Sequence, residues 1–142
     1  MPKGELFELK EGWELPALTK LVTQPNINLY AEASRDFNPV HINEEFASKP
    51  PLGGTIAHGM LILAYISEMM TNIFGQGWLN GGKLDVRFKA AARPGDTIKV
   101  SGKITRLEKG EGQTTITCSV LCSNEKGEAV ITGEAILAVP ER

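Results

Sequence analysis

The feature that most constrains the fold is an apolar stretch at residues 57–74. At helical spacing it leaves almost no polar face, because apolar side chains fill most of its positions: Met60, Leu61, Ile62, Leu63, Ala64, Tyr65, Ile66, Met69 and Met70. A helix that is apolar on nearly all sides is expected to be buried on nearly all sides. A curved sheet wrapped around the helix would bury it in this way. Glycines at positions 75, 77, 81 and 82 predict its end.

The rest of the chain predicts mainly strands. Apolar and polar residues alternate at 84–90, 98–100 and 116–120, and a last strand is expected at 130–139 after a hairpin turn at 125–128. An initial strand is expected at 13–22, followed by a short helix that Pro25 opens and that extends to residue 33. One buried helix combined with antiparallel strands indicates a two-layer α+β fold.

Residues 34–55 are expected to be irregular apart from a short helix at 43–47 that Asn43 caps. This segment contains Asp36, Asn38, Pro39 and His41. Because Pro39 lacks a backbone donor and disfavours the α region for Asn38, we expect a turn here and no regular helix. The turn would let Asp36 and His41 point into one space, where a carboxylate and an imidazole can hold a water and move its proton. These residues are also ordinary turn formers, so spacing alone leaves a purely structural turn open.

Several motifs together resemble the MaoC-like hydratases and dehydratases, a family that includes the (R)-specific enoyl-CoA hydratases. They are D-x-N-P-x-H at 36–41, I-A-H-G-M at 56–60, V-R-F-K at 86–89 and A-R-P-G-D-T at 92–97, and they span most of the chain. The chain departs from the family at one position, since Arg35 stands where the family usually has Gly. Glycine accepts backbone angles that arginine does not, so the local turn is expected to differ slightly.

The resemblance implies a hotdog fold, in which an antiparallel sheet wraps a long buried central helix, as one domain over residues 1–142. It also implies that Asp36 and His41 are the catalytic pair and that Asn38 belongs to the active-site motif as a brace. No metal or cofactor is expected, because a thioester itself activates the reacting carbon.

Gly59 lies at the start of the apolar helix, where amides lack intrahelical acceptors and the dipole is positive. These donors would stabilise the enolate that develops from a thioester carbonyl. Alternatively, Gly59 only lets the helix pack against the sheet. By resemblance Ser67 holds a hydroxyl for the catalytic aspartate, or else it bonds its own backbone. His58 is read as structural in preference to a third catalytic group, and no metal-ligand spacing accompanies it.

We therefore expect reversible hydration of trans-2-enoyl-CoA to (R)-3-hydroxyacyl-CoA. The alternatives are a dehydratase that acts on acyl carrier protein thioesters, a hotdog thioesterase, and a non-catalytic acyl-binding module. The motif order disfavours a thioesterase, and the presence of both Asp36 and His41 disfavours the non-catalytic module. The sequence leaves acyl-chain length and favoured direction undetermined.

Composition narrows the binding partners and the cellular location that are expected. The net charge of −2 argues against non-specific nucleic-acid binding, and neither a secretory signal nor an apolar run long enough for a membrane span is expected. Cys118 and Cys122 lie four residues apart on a predicted strand, too far for a disulfide, so both are expected to face the core as inert thiols. A cytoplasmic location fits this cysteine usage.

Basic residues exceed acidic ones between positions 83 and 109, by eight to three. The basic set would suit coenzyme A phosphates or an acidic carrier protein, although for any single residue a solvated strand position is the favoured interpretation: Lys83, Arg87, Lys89, Arg93, Lys99, Lys103, Arg106 and Lys109. Because a single sheet leaves edge strands exposed, a homodimer or a dimer of dimers is expected.

Overall fold

Five antiparallel strands and one long helix dominate the computed structural model, which describes residues 9–141. The strands pair in the order β1-β3-β4-β5-β2, so β1 and β2 form the two edges of the sheet. Their bounds are Leu18–Leu21 (β1), Lys83–Phe88 (β2), Thr97–Gly110 (β3), Gln113–Ser123 (β4) and Ala129–Pro140 (β5). The predicted α+β arrangement is therefore observed.

The helices all precede β2 in the chain. The long helix α4 spans Gly59–Phe74, and four others are α1 (Gln24–Ser34), α2 (Pro39–Ile42), α3 (Glu44–Ala47) and α5 (Gln76–Leu79). Thr23 caps α1 by accepting from the amide of Asn26, and Asn43 caps α3 as expected. The short helices α2 and α5 were missed, because four-residue helices give too few periods to detect.

The helix α4 packs against the sheet through one continuous stripe of side chains, namely Ile62, Tyr65, Ile66, Met69, Met70 and Ile73. This stripe forms one core with inward-facing residues of β3, β4 and β5. The prediction that this helix is buried on nearly all sides was wrong, however. Met60 is 55% exposed and Ala64 is exposed, because the sheet covers only one side of the helix within a single chain.

The predicted first strand was too long. Regular pairing begins at Leu18, and the only contact of strand type before it is an isolated bridge between Glu14 and Lys103 among the residues described. Pro16 explains the gap, since proline cannot donate to a ladder. The hairpin at 125–128 is confirmed between β4 and β5, closed by a bond from the Gly127 amide to the Asn124 carbonyl at 3.0 Å.

Both cysteines face the core from β4, as predicted. Cys118 and Cys122 are fully buried, and burial raises the pKa of each thiol to about 12. None of the helices in residues 9–141 is long and apolar enough to cross a membrane.

Candidate active site

The segment that carries Asp36 begins with a reversal of the backbone at the end of α1. Arg35 adopts φ 65° and ψ 21°, the left-handed conformation, and is the one described non-glycine residue with positive φ. For an L-residue with a large side chain this conformation costs roughly 1–2 kcal/mol. Arginine thus occupies a backbone conformation that glycine adopts without steric cost, and a difference from the turn of relatives stays a prediction.

Asn38 holds the turn between Asp36 and His41. The backbone N–H of Asn38 donates to Asp36 Oδ1 at 3.2 Å. The side-chain Oδ1 of Asn38 accepts from the backbone N–H of Val40 at 3.1 Å, and this bond caps α2. The expectation that Pro39 excludes a helix was wrong. Proline occupies the first turn of α2, where its missing N–H has no intrahelical acceptor to lose. His41 therefore sits on a helical turn with a fixed orientation.

The tautomer of His41 follows from its neighbours. Nδ1 lies 2.8 Å from the Ile56 carbonyl oxygen, which can only accept, so Nδ1 carries the hydrogen when the ring is neutral. The Nε2 lone pair then faces Asp36 Oδ2 at 3.9 Å. That distance is too long for a direct hydrogen bond and leaves both atoms available to a group placed between them. The His41 side chain is 12% exposed and that of Asp36 54%.

His58 lies beneath this pair and is 2% exposed. Its Nε2 donates to the Asp36 carbonyl oxygen at 3.0 Å, and its ring stacks on His41 with centroids 3.8 Å apart and planes at 24°. The ring of Tyr30 packs against it at 4.9 Å. Its Nδ1 is the one buried side-chain polar atom among the described residues that has no hydrogen-bond partner.

A cavity of about 200 Å³ opens beside His41. Apart from His41 it is lined by apolar side chains and backbone: Ile56, Ala57, Gly59, Ile62, Phe88, Ala90, Ala91, Ala92 and Val130. Such a lining suits an acyl chain. Asp36 is absent from the lining, in keeping with its greater exposure.

Gly59 brings a helix N-terminus to this cavity. As the first residue of α4, its amide belongs to the donors that have no intrahelical acceptor. His58 occupies the N-cap but makes no side-chain capping bond. Gly59 is exposed on the cavity side, next to the ring of Phe88, so a bound oxygen could reach the amide.

Ser67 makes neither of the contacts considered for it. Its Oγ accepts from Trp78 Nε1 at 2.9 Å, and in residues 9–141 no hydrogen bond joins it to Asp36. The serine thus ties α4 to α5 within this chain. A role for it near the catalytic aspartate remains a proposal.

Sequence reasoning missed two residues that hold residues 35–58 in place. Arg93 donates to the carbonyl oxygens of Leu52 and Gly54, at 2.7 and 3.3 Å. Gln24 donates to the His41 carbonyl oxygen at 2.8 Å and accepts from Thr55 Oγ1 at 2.6 Å. Arg93 lies in the A-R-P-G-D-T motif but was counted with the basic surface, whereas Gln24 carries no signal in a single sequence.

Asp36, His41 and His58 are the one group of three metal-ligating side chains within reach of each other in the described chain, with ligand atoms within 4.8 Å. One fact disfavours a metal. The two imidazole rings are stacked, with centroids 3.8 Å apart and planes at 24°, so their in-plane lone pairs do not converge on one point. The geometry favours proton chemistry over coordination.

Comparison with known proteins places these features in a wider context. Residues 14–125 match the description of a MaoC-like domain. The chain is 36% identical to an (R)-specific enoyl-CoA hydratase of Rhodospirillum rubrum, over 95% of this chain and 91% of that protein. It is 32% identical to a 3-hydroxybutyryl-CoA dehydratase of Methylorubrum extorquens, over 96% and 85%.

Solved structures agree with this result. The unliganded R-hydratase of Pseudomonas aeruginosa superposes with a TM-score of 0.82 at 27% identity, over 95% of this chain and 84% of that one. An (R)-hydratase from A. caviae gives a TM-score of 0.80 at 25% identity, over 93% and 98%. The predicted hotdog fold is confirmed.

Proposed function

The chain belongs to the MaoC-like dehydratase family, and on that premise we propose that it is a hydro-lyase of acyl thioester metabolism. The reaction is reversible hydration of trans-2-enoyl-CoA to (R)-3-hydroxyacyl-CoA. The observation that carries the proposal is the pairing of His41 Nε2 with Asp36 Oδ2 at 3.9 Å, beside an apolar cavity that Gly59 also lines. Relatives named as enoyl-CoA hydratase and hydroxybutyryl-CoA dehydratase support it.

In the hydration direction one water sits between His41 Nε2 and the Asp36 carboxylate. The lone pair of Nε2 is available because the Ile56 carbonyl holds the ring hydrogen on Nδ1. As the water oxygen bonds to C3 of the enoyl group, the pair removes one proton from the water. The C2–C3 π electrons move onto the thioester as an enolate.

The Gly59 amide is the donor for that enolate oxygen, and the dipole of α4 adds to its effect. Protonation at C2 by the same carboxylate–imidazole pair completes the addition of H and OH. Dehydration is the same sequence in reverse. No cofactor is required, because the thioester carbonyl supplies the electron sink and the pair supplies the proton transfer.

We propose that the acyl group of the substrate is carried by coenzyme A. Arg87 and Lys89 are exposed and bracket Phe88, which lines the cavity. Arg93 is withdrawn from the basic set, because its guanidinium is occupied by the Leu52 and Gly54 carbonyls. Charge reversal at Arg87 or Lys89 should raise KM for crotonyl-CoA. Lys103 is a matched control on β3, three strands or roughly 14 Å from β2 in the sheet order.

We further propose a homodimer or a dimer of dimers in the cytoplasm. Within residues 9–141 the edge strand β2 pairs only with β5, and the exposed part of α4 around Met60 is apolar, so a second copy could cover both. Light scattering after size exclusion should give about twice the chain mass of 15.4 kDa, or a higher even multiple. A fully active monomer would contradict this assembly.

Spectrophotometry at the enoyl-thioester absorbance tests the function. Crotonyl-CoA and longer enoyl-CoAs should lose absorbance on hydration. A parallel assay with acyl carrier protein thioesters shows which of the two carriers, coenzyme A or acyl carrier protein, the enzyme prefers. Coupling to an (S)-specific hydroxyacyl-CoA dehydrogenase should give no rapid NADH formation, since the expected product is the (R) form. Release of free thiol in place of hydration would instead indicate the thioesterase alternative.

A further inference from the structure

His58 contacts both residues of the proposed catalytic pair. Its Nε2 donates to the backbone carbonyl of Asp36, its ring lies against the ring of His41, and it directly precedes Gly59 at the N-cap of α4. It is 2% exposed and lies 22 residues from Asp36 along the chain. One buried ring therefore links the segment with the carboxylate to the helix with the enolate donor.

The hydrogen bond fixes the tautomer of neutral His58. A carbonyl oxygen only accepts, so Nε2 carries the hydrogen and Nδ1 holds a lone pair when the ring is neutral. Nδ1 is buried and has no partner among the described residues, so a proton placed there would be a buried charge without an acceptor.

Stacking reinforces this state. The titratable groups around the ring are Asp36, His41 and Tyr30, and the Asp36 contact is through the backbone and not through the carboxylate. The two imidazole centroids are only 3.8 Å apart, so simultaneous charge on both rings is disfavoured. A neutral His58 leaves His41 free to accept the proton of the reaction.

We propose that His58 is a positioning residue that stays neutral, holds the Asp36 backbone and the His41 ring in register with the Gly59 amide, and takes no proton during turnover. The inference rests on the proposed hydratase function for its kinetic part. Its structural part, the tautomer and charge of His58, can be measured without any substrate.

Two substitutions separate the hydrogen bond from the ring. Glutamine places an amide nitrogen near the position of imidazole Nε2, so His58→Gln keeps the donor to Asp36, whereas His58→Phe keeps an aromatic ring and loses the donor. We expect His58→Phe to lower kcat by about 100-fold with KM nearly unchanged, because small misplacement of reacting groups costs about this factor. His58→Gln should restore most of kcat and leave both limbs of the pH profile in place. Full kcat in His58→Phe, or a lost limb in His58→Gln, would overturn the proposal.

Nuclear magnetic resonance of the unmodified protein decides the matter even if the variants fold poorly. The chain has two histidines, so ¹⁵N-labelled protein shows two imidazoles, which His41→Asn assigns. We expect His58 as the neutral Nε2–H tautomer and His41 as the opposite Nδ1–H tautomer when neutral. A His58 that carries hydrogens on both nitrogens at the pH of the activity assay, or that carries its one hydrogen on Nδ1, refutes the proposal, whether or not the enzyme hydrates enoyl-CoA.

Discussion

The ring of Phe88 lies directly against Gly59. A Cβ built on Gly59 would come within 2.9 Å of Phe88 Cε1 and 3.1 Å of Cδ1, closer than side chains normally approach. Phe88 is 53% exposed at the end of β2, so its ring can move aside, but it would then change the wall of the cavity. One aromatic side chain thus packs against the residue whose amide would hold an enolate.

Gly59→Ala should lower kcat by about 100-fold, because the added methyl group displaces either the Phe88 ring or the bound carbonyl. Steady-state hydration of crotonyl-CoA measures the effect. The double variant Gly59→Ala, Phe88→Ala should recover part of the loss if contact with the ring is its cause. Gly81→Ala is the control, since no atom lies within 4 Å of its new methyl group. Wild-type kcat in Gly59→Ala would show that the Phe88 ring accommodates the methyl group and would contradict the expected disturbance of the site.

Asp36→Asn and His41→Asn should each lower kcat by about 10²- to 10⁴-fold, the range for general acid–base groups. Asparagine at position 41 places an amide nitrogen near Nδ1 and can keep the bond to the Ile56 carbonyl, so this variant removes the base while sparing its anchor. Asp85→Asn on the exposed side of β2 is the matched carboxylate control. Circular dichroism checks that the fold persists, and near-normal activity in either variant would rule out the mechanism.

Arg35→Gly should raise the free energy of unfolding by about 1 kcal/mol, because glycine adopts the left-handed conformation of this position without a Cβ conflict. Urea unfolding followed by circular dichroism measures the change. Glu32→Gly is the control inside α1, where glycine should instead cost roughly 0.5–1 kcal/mol. Equal destabilisation by both changes would show that the conformation of Arg35 carries no cost.

Cys118 and Cys122 should react with a thiol reagent at pH 8 only after unfolding, because burial raises both pKa values to about 12. Because the thiol pKa values are raised in the folded state, the free energy of unfolding depends on pH in the alkaline range. The folded state retains protons that the unfolded state loses, so the stability is fully present below the unfolded pKa of about 9 and declines as the pH rises from 9 to 12. Replacing Cys118 with Ala should reduce this alkaline decline, and rapid labelling of the native protein would contradict the burial.

The sequence was sufficient for the order of the five strands and of α1, α3 and α4, since periodicity reports which side chains face a core. It failed where tertiary contact decides. The apolar surface of α4 indicated burial on every side, yet Met60 is exposed, because an apolar pattern records that a face will be covered and not by which chain. Pro39 indicated a break, yet it starts α2, because proline is compatible with a first helical turn.

Sequence reasoning proposed residues for the site but could not supply their contacts. Motif resemblance indicated Asp36 and His41, the expected helix start indicated Gly59, and the structure brings His41 and Gly59 to one cavity. The sequence could not reveal that His58 stacks on His41 or that the Ser67 hydroxyl accepts from Trp78, because these contacts depend on side-chain orientation in three dimensions. Gln24 is a further example, since a glutamine that holds a catalytic backbone carbonyl looks like any other surface glutamine.

The few contacts that hold residues 35–58 affect how easily this segment unfolds with heat or denaturant. Residues 35–58 contain no strand, and Arg93 secures them by donating to the Leu52 and Gly54 carbonyls. Segments held by a few contacts open with less free energy than a core does. Activity should therefore be lost at a lower temperature or denaturant concentration than the one that unfolds the sheet. The contacts of Arg93 and Gln24 with this segment would then limit the conditions under which the enzyme works, while the strands remain folded.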